Sequence, residues 1–150
     1  MKRKPTSPRP TPEEEAYVAL QRTADRLLQG AEATLKPHGL SATQYNVLRI
    51  LRGAEPDGLP CRDIGERLIT HDPDVTRLLD RLERRGLVTR MRTSEDRRVV
   101  RTRITPAGLT LLQALDGPIA DTHRRQLGHL RDARLQHLLT LLEAARENAG

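Results

Sequence analysis

Apolar residues recur at helical spacing along most of the chain. Tyr17, Leu20, Ala24, Leu27, Ala31 and Leu35 follow one another every three or four positions, which predicts a helix over about 13–36. Glu13, Glu14 and Glu15 suit the positive end of its dipole, and Pro37 and Gly39 end it. Ser41 with Gln44 three residues on is a capping box opening a second helix, in which Tyr45, Leu48 and Leu51 share a face. Residues 53–58 read as a loop, and a short helix over 62–68 sets Ile64 and Leu68 four apart. Asp72 and Pro73 then offer a cap and a first-turn proline. In the helix that follows, Val75, Leu78, Leu79 and Leu82 fall at i, i+3, i+4 and i+7. Arg77, Asp80 and Arg84 must therefore point away from the core, with Thr76 and Arg81 on the flanks.

Past Gly86 the pattern changes to two β-favouring runs, 87–92 and 97–104, joined by the polar Thr93, Ser94, Glu95 and Asp96. This is the signature of a hairpin. Thr105 and Pro106 start a further helix carrying Leu109, Leu112 and Leu115, which Gly117 and Pro118 are expected to kink or break. A last helix over about 131–148 shows Leu135, Leu138, Leu139 and Leu142 in the same four-position pattern. The first twelve residues, with four prolines among basic and hydroxyl side chains, read as a disordered basic arm (1–12) ahead of a single domain (13–150).

Composition narrows the possibilities. Hydrophobic residues make up 36% of the 150-residue chain, 24 of them leucine, against two Tyr and no Phe or Trp. A leucine-based helical core follows, and single-strand nucleic-acid modules, which stack bases on aromatic platforms, are disfavoured. No apolar run is long enough to span a bilayer, and a lone Cys61 forms no internal disulfide, so the chain is expected in the cytoplasm with no membrane partner. His123, His129 and His137 stand six and eight apart, spacings that do not put metal ligands on one helical face. No Gly-rich phosphate loop, nucleophile motif or acid–base pair is present, so neither catalysis, a metal nor a cofactor is expected.

Charge is local. Residues 84–103 hold eight arginines against Glu95 and Asp96, the arm carries Lys2, Arg3, Lys4 and Arg9, and the remainder is net acidic. An arginine-dense segment on a mildly acidic body is the footprint of a polyanion binder. Helix, short turn, amphipathic helix and arginine-rich hairpin, in that order, make a winged helix-turn-helix over about 41–104. One helix fits the major groove of duplex DNA and the hairpin reaches the neighbouring minor groove.

The fold class is thus mainly α with a small β-hairpin wing. Leu40-Ser-Ala-Thr-Gln-Tyr-Asn-Val-Leu, the run from Asp74 to Val88, and Glu95-Asp-Arg-Arg followed by Ile104-Thr-Pro-Ala-Gly together resemble the MarR family of bacterial transcription regulators. The resemblance implies an obligate homodimer held by flanking helices (about 13–36 and 106–148), a pseudo-palindromic double-stranded operator, repression by family habit, and often release by a small-molecule effector. His38 and Tyr45 lie in or next to the segments that line the family's effector pocket, although a loop histidine and a core tyrosine explain them equally well.

Thr76 and Arg77 are the first choice for base-edge or adjacent phosphate contacts, with Arg81 beside them. The alternative is a solvated face with Arg77 paired to Asp74 or Asp80. Asp74 departs from the small hydroxyl residues common there in the family, and faces DNA with profit only by accepting from a cytosine amine or holding an arginine. Asp96 and Arg98, two apart, are expected on one strand face, the carboxylate aiming the guanidinium at the minor groove while Arg97 takes phosphate. The alternative is that the arginines merely solubilise an edge strand. Cys61, beside Arg62 at a helix start, has features of an oxidant-sensing thiol, but a small apolar filler is the more ordinary role of a free cysteine. The competing function is a non-specific DNA-coating protein whose main contact is the arm.

Overall fold

The computed structural model describes residues 7–150; the first half of the basic arm, including Lys2, Arg3 and Lys4, lies outside the described residues. Residues 7–11 have no regular structure, and helix α1 (Pro12–Leu35) begins at the last residue assigned to the arm, one residue before the expected start at 13. Thr11 accepts from the Glu14 N–H while the Glu14 carboxylate accepts from the Thr11 N–H, a capping box that leaves Pro12 at a position where its missing N–H costs nothing. A single 3-10 turn, Lys36–His38, and Gly39 at φ 67° carry the chain into α2 (Ala42–Gly53). The Ser41–Gln44 capping box opens α2 as expected.

After α2, a two-residue strand β1 (Leu59–Pro60), too short for any periodicity to reveal, precedes α3 (Cys61–Arg67) and α4 (Val75–Arg84). The hairpin is β2 (Val88–Arg92) and β3 (Val100–Ile104), and the antiparallel sheet has the order β1-β3-β2 with Val88 opposite Ile104 and Arg92 opposite Val100. Helices α5 (Pro106–Leu127) and α6 (Arg131–Glu147) complete the chain.

The core is aliphatic. Leu35, Leu48, Leu51, Ile64, Leu79, Leu82, Leu112 and Leu115 are fully buried, so α2, α4 and α5 contribute the stripes that the spacing predicted, whereas of the stripe predicted on α1 only Leu35 is buried. By contrast α6 has no buried residue, Leu139 and Leu141 are each more than half exposed, and Tyr17, Val18 and Leu20 of α1 also face solvent.

Two local expectations are corrected. Gly117 and Pro118 do not break α5, which runs unbroken through them. A proline inside a helix costs about 3 kcal/mol, but Leu112, Leu115, Ile119 and Thr122 are buried on both sides of it, and Thr122 Oγ1 is 2.7 Å from Thr34 Oγ1 on α1, so packing holds the helix together. The α4 cap is Asp74 rather than Asp72, and Pro73 precedes the helix. Only from position 74 does a carboxylate reach the Arg77 N–H (3.1 Å), while Asp72 accepts from the Asp74 N–H (2.8 Å) and shapes the turn.

Candidate nucleic-acid interface

Helix α4 buries Leu78, Leu79 and Leu82 and leaves Thr76, Arg77, Arg81 and Arg84 exposed along the opposite side. Among the described residues, the side chains of Arg77, Arg81 and Arg84 make no hydrogen bond or ion pair. Thr76 Oγ1 sits 3.7 Å from the sulfur of the half-buried Cys61, which ties the start of α4 to α3. The Asp74 carboxylate serves the Arg77 backbone rather than its guanidinium, and Asp80 is engaged elsewhere.

At the hairpin the geometry differs from the strand-face expectation. Asp96 and Arg98 lie in the turn between β2 and β3, and the Asp96 carboxylate accepts from the Arg98 backbone N–H (2.9 Å), not from its guanidinium. Thr93 Oγ1 donates to the Asp96 carbonyl (2.7 Å) and accepts from the Asp96 N–H (3.2 Å). Short polar side chains that bond nearby backbone compete with strand pairing, and here they win. Arg92 closes the same turn by donating to the Arg97 carbonyl (2.7 Å). The guanidinium groups of Arg97 and Arg98 project without a partner among the described residues.

The rest of the arginine cluster is occupied. Arg90 donates to Asp80 (2.5 Å) and Glu83 (3.0 Å) of α4, Arg101 to the Gly58 carbonyl (3.0 Å), and Arg103 to Glu55 (3.0 Å). Arg85 grips the Gly39 and His38 carbonyls (2.7 and 3.0 Å), fastening the end of α4 to the α1–α2 junction. The Arg90 guanidinium holds the Glu83 carboxyl below the usual carboxylate range. Sequence reasoning missed these internal roles, although Asp80 and Glu83, one helical turn apart and close in sequence to β2, were a visible signal.

A second feature lies apart from α4. A cavity of about 320 Å³ opens between α1, α2 and α5, walled by Leu27, Leu35, Tyr45, Ile119, Arg49 and His123. Burial pushes the Tyr45 phenol up, and the Arg49 guanidinium lies 5.9 Å from the Tyr45 ring centroid. His38 is not among the lining residues; its carbonyl is held by Arg85. Arg52 and Asp116 form a two-point pair (2.9 and 3.1 Å) between α2 and α5 beside it, and that pair holds the Asp116 carboxyl low.

Helix-turn-helix, hairpin wing and exposed cations on both define a winged helix-turn-helix protein. Residues 40–100 match the model of the MarR family. The chain is 31% identical over 124 residues to the homoprotocatechuate degradative operon repressor of Escherichia coli, covering 78% of this chain and 82% of that protein. It is 46% identical to the MarR transcription factor of Planctomyces limnophilus, whose crystal structure superposes with a TM-score of 0.70 over 92% of this chain and 100% of that one. CouR of Rhodococcus jostii RHA1, solved with p-coumaroyl-CoA bound, is 26% identical with a TM-score of 0.75, covering 88% of this chain and 92% of its own. The chain belongs to the MarR family and is a transcriptional regulator, not an enzyme. Among the described residues no helix is long and apolar enough to cross a membrane.

Proposed function

We propose that residues 13–150 act as one domain that dimerises through α1, α5 and α6 and binds a pseudo-palindromic DNA operator, as a repressor released by a small molecule. The observation that carries the reading is that the unpartnered cations sit where DNA-reading elements need them: Arg77 and Arg81 on α4, Arg97 and Arg98 at the hairpin tip. In this reading Thr76 and Arg77 meet base edges or the adjacent phosphates, Arg97 takes phosphate, and Arg98 enters the minor groove. Asp74 contributes by fixing where α4 starts, and Asp96 by folding the turn that carries Arg97 and Arg98.

Dimerisation is supported by the leucines of α6 and the apolar side chains of α1 that stand exposed among the described residues. Repression is supported by the Escherichia coli relative's being an operon repressor, and effector binding by the p-coumaroyl-CoA held by CouR. The effector site in this reading is the cavity walled by Tyr45, with Arg49, His123, Glu32 and Asn46 among its polar groups and His38 outside it. Binding genomic operators places the protein's work in the cytoplasm.

Selection from random duplex DNA followed by footprinting tests the reading. The expected outcome is one inverted repeat, its half-sites about 10 bp apart centre to centre. Light scattering should return twice the mass of the chain. Protection of every duplex alike would instead make this a DNA-coating protein, and a monomer would remove the basis for the repeat.

A further inference from the structure

We infer that Arg90 is a positioning residue that braces the wing against the recognition helix, so that the two DNA-reading elements meet the operator as one rigid body. The inference rests on the operator-binding reading above. Between α4 and β2 the chain turns through Gly86, at φ 70°, and the turn is closed by the Gly86 and Leu87 N–H groups donating to the Glu83 and Leu82 carbonyls. The wing runs on from there to a largely exposed tip. Its angle to α4 along that length is steadied by contacts beyond the turn.

Arg90 supplies them. It lies on β2 opposite Thr102, which is 1% exposed, so its side chain leaves the strand on the face turned toward the protein. Its guanidinium donates to Asp80 Oδ1 (2.5 Å), Glu83 Oε1 (3.0 Å) and Glu83 Oε2 (3.3 Å), and its backbone N–H donates to Glu83 Oε2 (3.0 Å). The Arg90 side chain is 26% exposed, more enclosed than either carboxylate, and its planar fork fixes direction as well as distance. Asp80 stands one helical turn from Arg77. The brace thus links the residue set for base reading to the strand that leads into the turn carrying Arg97 and Arg98. It also cancels part of the negative charge that Asp80 and Glu83 would otherwise show to phosphate.

A brace and a phosphate contact fail differently, and the conservative variant separates them. Arg90→Lys keeps the cation but loses the fork. Titrations of the full chain against the selected operator and a scrambled duplex of equal composition, at several salt concentrations, give affinity, preference and salt slope. Arg90→Lys should lower the preference for operator over scrambled DNA by about threefold, with scrambled binding and slope unchanged. The neutral triad Asp80→Asn, Glu83→Gln, Arg90→Gln should lower the preference by about tenfold while scrambled DNA binds at least as well as to the parent. Thermal melts establish folding, and Arg90→Lys alone decides if the triple variant does not fold. A slope smaller by about one, with both duplexes weakened equally, would make Arg90 a direct phosphate contact and overturn the inference. An unchanged preference in folded variants would also overturn it. A parent protein showing no preference at all would refute the operator-binding reading itself, a result visible before any variant is compared.

Discussion

The base and the tip of the β2–β3 hairpin are built from the same residue type, and arginine has opposite fates in them. At the base, Arg90, Arg101 and Arg103 each meet an internal acceptor on α4 or on the loop before β1. At the tip, Arg97 and Arg98 have none among the described residues, and the neighbouring acid, Asp96, is turned onto the backbone. The difference lies in what surrounds each arginine. Acids at Asp80, Glu83 and Glu55 stand within reach of the base, whereas among the described residues no acid pairs with the guanidinium groups of the tip. A charge cluster counted along a sequence therefore overstates the charge available to a partner, because part of it is consumed in holding the cluster in shape.

The largest expected effect falls on the tip. Arg97→Ala with Arg98→Ala removes two unpartnered cations and should weaken operator binding by about two orders of magnitude. The salt slope should shrink by about two, and the melting temperature should barely move. Titration at several ionic strengths reads all of this. If the slope is unchanged, the tip does not touch DNA and the distinction between base and tip has no functional content.

Asp96 comes next, because its role is now conformational. Asp96→Ala removes the acceptor for the Arg98 N–H and should weaken binding several-fold by loosening the turn, about 1 kcal/mol for one local bond. Asp96→Asn keeps an acceptor oxygen, removes a negative charge from the DNA-facing side, and should bind as tightly as the parent or tighter. Equal losses in the two variants would show that the carboxylate charge matters and not the turn.

The base should answer in stability instead. Arg103→Ala leaves Glu55 without its partner and should lower stability by about 1 kcal/mol, the upper range for a half-exposed pair, while the salt slope of DNA binding stays as it was. A slope reduced by one would move Arg103 from the protein's interior accounts to the DNA contact set.

Much of this architecture is legible in the sequence. Leucine spacing located α1, α2, α4 and α6 and the start of α5 within a few residues, because the apolar positions keep the helical period even on α6, where no residue is buried within the chain. The Ser41–Gln44 box was readable since both of its members lie within one turn. What the sequence did not disclose depends on contacts between distant segments. Pro118 reads as a breaker until Ile119 and Thr122 are seen docked against the rest of the fold. The division of the arginines depends on pairs such as Arg101 with Gly58 and Arg103 with Glu55, more than forty residues apart. Asp96 was misread for a local reason: spacing of two fits a strand face and an Asx turn equally, and only Thr93, bonding Asp96 from both sides, selects the turn.

The smallest effect concerns acid. Glu83 at the wing base and Asp116 on α5 both have carboxyls held low, each by a hydrogen bond from an arginine that does not titrate in this range. A folded-state value below the unfolded one means the pair stabilises the protein fully above the ordinary carboxylate range, and the contribution disappears as pH falls through the lowered value. Stability should therefore be flat from neutral pH down to that range and decline beneath it. Both pairs are partly exposed, so solvent screens them and the decline they cause is shallow. Glu83→Gln and Asp116→Asn should each flatten the acid limb of a melting-temperature profile while lowering the neutral plateau slightly. The two separate at the DNA: Asp116 pairs with Arg52 between α2 and α5 and bonds neither α4 nor β2, so Asp116→Asn should leave operator preference at neutral pH untouched, whereas Glu83→Gln should reduce it. If Asp116→Asn shifts that preference as much as Glu83→Gln does, loosening anywhere in the fold is felt at the DNA, and the wing base has no special part in aiming the tip.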